Sequence, residues 1–137
     1  MENLYEDLVL WKITRDPLVF ANRQYTIEKG WSCPDIVALN FRKKEIWVIE
    51  VSTGDAKGLA EKVRDRENQW FSKLGNRLEH SPASIIDGSW KFVAKVFIRR
   101  DAEKGFRKMV GEHLPEDVTI EILEDIGFNW QWNWEFP

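Results

Sequence analysis

The chain of 137 residues carries 43% hydrophobic and 31% charged side chains, a balance that suits one folded domain with one core and excludes disordered and collagen-like chains. A single cysteine, Cys33, leaves neither a disulfide framework nor a cysteine-based zinc site, which points to a reducing, cytoplasmic setting. The net charge of −3 argues against nucleic-acid binding over the whole surface, and no apolar run reaches the ~20 residues that span a bilayer, so no membrane partner is expected.

The opening MENLYEDLVL lacks the basic start of a secretory leader. Residues Glu2 to Asp16 are predicted to form a helix, with Leu4, Leu8, Trp11 and Ile13 near helical spacing and Pro17 as its stop. Gln24 to Glu28 is a short candidate strand. Asp35 to Phe41 and Glu45 to Ser52 are clear strands, separated by the polar turn Arg42-Lys43-Lys44. Thr53-Gly54-Asp55 leads into a long helical segment, Ala56 to Glu79, with Leu59, Val63, Trp70, Leu74 and Leu78 on one stripe. Past the turn at Asp87-Gly88, Lys91 to Arg99 is predicted to be a strand, Ala102 to His113 a helix, and Val118 to Leu123 a last strand. The expected fold is therefore α/β, a single domain with a mixed sheet flanked by helices, undivided by any linker or repeat.

Charge is uneven along this order. Lys91 to Lys108 holds seven basic residues against two acidic ones, whereas Glu112 to Pro137 holds seven acidic residues and no Lys or Arg. The net charge thus conceals a basic stretch that could form a local surface, although the same counts fit ordinary solvated faces. In Phe128 to Phe136, five aromatics recur at every second residue and would share one face of a strand. That ladder could cover the domain's own core, pair with a second copy or a protein partner, or stack on single-stranded nucleic acid.

Two carboxylates stand out. Asp35 begins one apolar strand and Glu50 lies inside Trp47-Val48-Ile49-Glu50-Val51, where removing a charge from water is costly unless a partner or a metal compensates. If Phe41 pairs with Lys44 or Ile46, Asp35 falls opposite or diagonal to Glu50 on one face, and a one-residue slip would separate them. Their oxygens and the Val51 carbonyl could then hold one Mg²⁺ or Mn²⁺, a hard ion suited to oxygen ligands and to phosphodiester chemistry. Spacing alone leaves open the plainer alternative, in which Asp35 caps a turn after Pro34 and Glu50 pairs with a Lys or Arg across the sheet.

Pro34-Asp35, followed after fourteen intervening residues by Glu50-Val51-Ser52 on the next strand and then by a long helix, resembles the PD-(D/E)XK nuclease superfamily. The resemblance implies a restriction-endonuclease-like αβββαβ core over residues 1–100, with residues 101–137 as an extension of helix, strand and aromatic segment. It implies a metal-dependent nuclease, with Asp35 and Glu50 as metal ligands and Glu6, or failing it Glu2, as an assisting carboxylate from the first helix. Ser52 stands where the family has its Lys, and a hydroxyl has no charge to stabilise a developing phosphorane. The following helix can supply a displaced cation, Lys62 first and Lys57 second, and Lys62, Arg66 and Gln69 fall on one helical face. A cation that has moved would preserve cleavage, and one that has vanished would leave a nuclease-like fold used for binding.

Nucleic acid, DNA ahead of RNA, is the expected partner, with backbone contacts from Lys57, Arg66, Gln69, Arg99, Arg100, Lys104, Arg107 and Lys108. His80 and His113 have no Ser or Cys nucleophile placed beside them, and no Gly-rich phosphate loop occurs. Three classes remain: a metal-dependent nuclease, a silent member of the same fold that binds nucleic acid, and a protein-interaction module built on the aromatic C-terminal segment.

Overall fold

The computed structural model describes residues 2–23, 34–54, 56–79, 86–111 and 113–128. The apolar strands assemble a five-stranded mixed sheet in the order β1 (Val19–Arg23), β2 (Ile36–Asn40), β3 (Glu45–Ser52), β4 (Lys91–Ile98) and β5 (Val118–Ile122). The β1–β2 and β2–β3 pairs are antiparallel, and β3–β4 and β4–β5 are parallel. Parallel neighbours need crossovers, which are supplied by α2 (Lys57–Arg64) and α3 (Ser72–Glu79) between β3 and β4, and by α4 (Arg100–Val110) between β4 and β5. The N-terminal α1 (Glu2–Ile13) and the terminal α5 (Leu123–Phe128) cover the opposite face. Among the described residues, no helix is long and apolar enough to cross a membrane.

Both faces of the central strands are therefore buried. Val37, Ile46, Val48, Ala94, Val96 and Ile98 pack against Ala60, Val63, Trp70, Leu74 and Phe106 of the crossover layer. Ile36, Ala38, Trp47, Ile49, Val93 and Phe97 pack against Val9, Ile13, Leu123 and Ile126. This two-sided burial explains why β3 and β4 are near-continuous apolar runs instead of strict alternations.

The first helix differs from its predicted form. It ends at Ile13, ahead of Pro17, where the amide and hydroxyl of Thr14 both donate to the Leu10 carbonyl at 3.1 and 2.6 Å. Its inward stripe is Glu6, Val9 and Ile13, and Leu4 is 67% exposed. Apolar residues surround this helix on most sides, so spacing could not choose the face. A strand at Val19–Arg23 was not anticipated, and the expected strand Gln24 to Glu28 lies outside the described residues. The last strand stops at Ile122 and the chain turns directly into α5.

The long segment Ala56 to Glu79 is helical but not one helix. α2 ends at Arg64, a turn at Asp65 intervenes, and a π-helical turn over Glu67–Phe71 precedes α3. The widened turn carries the adjacent aromatics Trp70 and Phe71, and both are buried in the core beside Val63 and Leu74.

The hairpin β2–β3 closes through Phe41 to Lys44, with Lys44 at φ 56°. Buried Asn40 holds the turn by accepting from the amides of Arg42 and Lys43 at 2.9 and 3.0 Å. Arg42 grips Asp16 with two 2.9 Å hydrogen bonds, which hold the Asp16 carboxyl down at about 2. The turn fixes the register at Ile36 opposite Ile49, and that register places both carboxyls of the site described next.

Candidate metal and phosphodiester site

One step beyond Ile36 and Ile49, the register sets Asp35 opposite Glu50 at the end of β3. This is the first of the two pairings that bring both carboxyls to one face, with Phe41 opposite Lys44. Glu50 follows Ile46 and Val48 on the crossover face, at the point where the core gives way to an opening beside α2. The Asp35 amide donates to Glu50 Oε2 at 3.2 Å, and the Val51 amide donates to Asp35 Oδ2 at 2.8 Å. A strand residue's N–H and C=O lie on the same side, so the Val51 carbonyl faces that same edge. The residue opposite Val51 is Pro34, which has no N–H to occupy that carbonyl.

Glu50 is 9% exposed. Burial pushes its carboxyl up to about 8, the adjoining Asp35 side chain adds to the push through a hydrogen bond and charge, and Lys62 pulls the other way. Lys62 and Glu50 line one cavity of about 250 Å³ together with Val51, Ser52, Gly58 and Leu59. Two opposed carboxyls, a half-buried serine hydroxyl and a lysine thus converge at the carboxyl end of β3. That is the end of a parallel sheet at which ligands characteristically bind.

The other expected residues are placed differently. Glu6 is 4% exposed, but its carboxylate meets Arg23 at 3.3 Å, and Arg23 also binds Asp7 at 2.6 Å. Among the described residues, no third His, Cys, Asp or Glu joins Asp35 and Glu50, so Glu6 is not gathered into the pair as expected. Glu2 lies at the start of α1. Arg66 leaves the expected common face with Lys62 because the chain turns at Asp65. It pairs with Asp117 at 2.7 Å and donates to the Val63 carbonyl at 3.0 Å. Lys57 is exposed in the first turn of α2, and Gln69 lies in the π-helical turn.

The basic stretch is also altered by folding. Arg99 pairs with Glu124 at 3.2 Å, the Arg100 amide donates to Glu124 at 2.8 Å, and the Arg100 guanidinium binds Asp125. Arg107 pairs with Glu103 at 3.0 Å along its own helix. The acidic C-terminal stretch therefore folds back on the basic one, and the charge separation counted along the chain shrinks in space. Lys104 and Lys108 remain exposed on α4. The aromatic ladder lies outside the described residues except for Phe128, which closes α5.

Arg23 was missed because its strand was placed too late in the chain. Gly54, Gly58 and Gly105, which border the openings at this end of the sheet, gave no local signal. No protein-family model, no curated protein and no solved structure matches this chain.

Proposed function

We propose that this chain is a divalent-metal-dependent phosphodiesterase acting on nucleic acid, DNA first, built on a restriction-endonuclease-like core. The single observation that carries the reading is the opposition of Asp35 and Glu50. Two carboxyls held together in a partly buried place, each accepting a backbone amide, oppose one another electrostatically, and a cation relieves that opposition. The donor set suits Mg²⁺ or Mn²⁺, because a magnesium ion takes one or two carboxylates and completes its shell with water, substrate oxygens and backbone carbonyls such as that of Val51. Bound there, the ion would supply Lewis-acid polarisation of a phosphoryl oxygen.

The chain's own groups do the rest. Asp35 and Glu50 fix the position of the ion relative to the strand ends, and the amides of Asp35 and Val51 fix the carboxyls. Lys62, on the helix beside Glu50, replaces the cation missing at Ser52 and offsets negative charge on the phosphoryl group as it is displaced. The Ser52 hydroxyl offers a neutral hydrogen bond beside it. The second reading, binding without cleavage, draws on that neutral Ser52 and on the engagement of Glu6 by Arg23.

The deciding experiment incubates labelled single- and double-stranded DNA and RNA with the protein in Mg²⁺ and in Mn²⁺, beside Asp35→Ala. The reading expects products that vanish with chelator and fall by about 10²–10³-fold in the variant. Equal products from both proteins, or none from either, would overturn it.

A further inference from the structure

Next to the carboxylate opening lies a larger cavity of about 440 Å³, lined by Thr53, Gly54 and Ala56 after β3 and by Asp101, Ala102, Gly105, Phe106 and Met109 of α4. Residues Val51 and Ser52 border the first opening and Thr53 and Gly54 border the second, so the two openings share consecutive residues at the end of β3.

The glycines here need an explanation. Gly105 sits inside α4, where alanine would be the better helix former. A Cβ added at Gly54 or Gly105 would meet nothing within 4 Å, and neither residue has a positive φ. Neither crowding nor backbone conformation therefore calls for glycine at these positions. What the two glycines do is leave the cavity open, and Gly58 does the same in the adjoining one.

The lining chemistry restricts the occupant. Phe106 is fully buried beneath the floor, and the partly buried Met109 and Ala102 supply the apolar surface that faces the opening. Among the described residues, no Lys or Arg lines the cavity, and Asp101 contributes a carboxylate. The nearby guanidiniums of Arg99, Arg100 and Arg107 are engaged by Glu124, Asp125 and Glu103. The one charge on the lining, the Asp101 carboxylate, disfavours a phosphate within the cavity itself, whereas a flat heterocycle would find apolar contact and an acceptor for its N–H groups.

We propose that this cavity is a nucleobase subsite. The base next to the phosphate held at Asp35 and Glu50 lodges against Met109 and Ala102, above the buried Phe106, and Asp101 accepts from its N–H donors. Guanine fits best, because its pairing edge sets two N–H donors side by side. The assignment rests on the phosphodiesterase reading and sharpens it: a base within an intact duplex cannot enter such a cavity, so the substrate is single-stranded or carries an extruded nucleotide.

Two readouts keep this assignment separate from the cleavage reading. In the metal-free full chain, guanosine 5′-monophosphate and its 2′-deoxy counterpart should shift the amide NMR signals of Gly54 and Gly105, and inorganic phosphate should not. No shift with any nucleotide, or the same shift with phosphate, overturns the subsite whether or not the protein cleaves. Gly105→Leu fills the space and should melt no lower than wild type, while slowing cleavage of guanine-containing single strands by ~5–150-fold. Asp101→Asn should weaken the preference for guanine over adenine by at least ~5-fold. Unchanged rates and unchanged base preference in both variants overturn the subsite and leave the nuclease standing. Nucleotide-dependent shifts without cleavage uphold the subsite and overturn the nuclease.

Discussion

Two buried glutamates, Glu6 and Glu50, have opposite company. Glu6, under α1, meets the guanidinium of Arg23 at 3.3 Å, while Glu50, at the end of β3, meets the carboxyl of Asp35 and an upward push on its own protonation. The contrast is sharpened by the rest of the molecule, where Lys95, Arg66, Arg99 and Arg100 each meet an acidic partner. The fold can thus supply a counter-charge to its carboxylates, and at Asp35 and Glu50 it supplies a second carboxyl. These ion pairs among the described residues join opposite charges, and the like pair beside Lys62 is where the proposed function expects an ion from outside.

The comparison can be broken first by pH. Glu50 is held near 8 in the fold, above the ordinary 4.5 of a glutamate. Its contribution to stability is fully present below about pH 4.5 and is lost as pH rises to about 8. Metal-free wild type should therefore lose stability through that window, by up to about 1.4 kcal/mol per pH unit, and Glu50→Gln should remove the loss. Asp16, held at about 2, titrates below the window and does not blur it. Denaturant melts at pH 5, 6.5 and 8 check this, and parallel profiles for the two proteins would count against it. Mg²⁺ should stabilise wild type more at pH 8 than at pH 6, because binding releases the proton.

Next comes the paired glutamate. Arg23→Met leaves Glu6 buried beside no guanidinium and should cost about 1–3 kcal/mol in a denaturant melt. The same change should leave the metal dependence of cleavage intact. A loss of metal dependence in a folded Arg23→Met protein would instead join Glu6 to the site.

Lys62→Met should slow cleavage by about 10–100-fold, with Lys62→Arg recovering part of the rate. It should also raise the apparent Glu50 titration further, since Lys62 is the charge that opposes the upward push. Single-turnover kinetics across pH reads both effects, and an unchanged profile would remove Lys62 from the mechanism. The smallest effect belongs to the arginines already engaged by acidic partners. Replacing Arg99 and Arg100 by Ala should leave the salt dependence of nucleic-acid binding nearly unchanged, whereas Lys104→Ala with Lys108→Ala should lower the slope by about 1–2.

The strands that carry the carboxyls were legible because Ile36–Asn40 and Glu45–Ser52 are apolar and joined by a short polar turn that permits few registers. Lys62 was legible because a helix leaving the end of β3 returns its second turn toward that strand. Other features depend on distant parts of the chain. β1 is a short edge strand whose sequence VFANR has one fully inward residue, and α1 is apolar on most sides, so neither gives a clean period. The π-helical turn over Glu67–Phe71 interrupts a segment whose apolar stripe, Val63, Trp70 and Leu74, fits one regular helix, so its spacing carries no sign of the break. The pairing of Arg99 and Arg100 with Glu124 and Asp125 joins two blocks that a count along the chain keeps apart.

The central claim is that Asp35 and Glu50 together hold a divalent cation. Titrating the protein with Mn²⁺ at pH 7, with free ion followed by electron paramagnetic resonance and released protons by a pH indicator, tests it most directly. The account predicts one site in wild type, filled with release of up to about one proton, and loss of both signals in Asp35→Asn and in Glu50→Gln. Mn²⁺ binding that survives both substitutions, or a wild type that binds none, would contradict it.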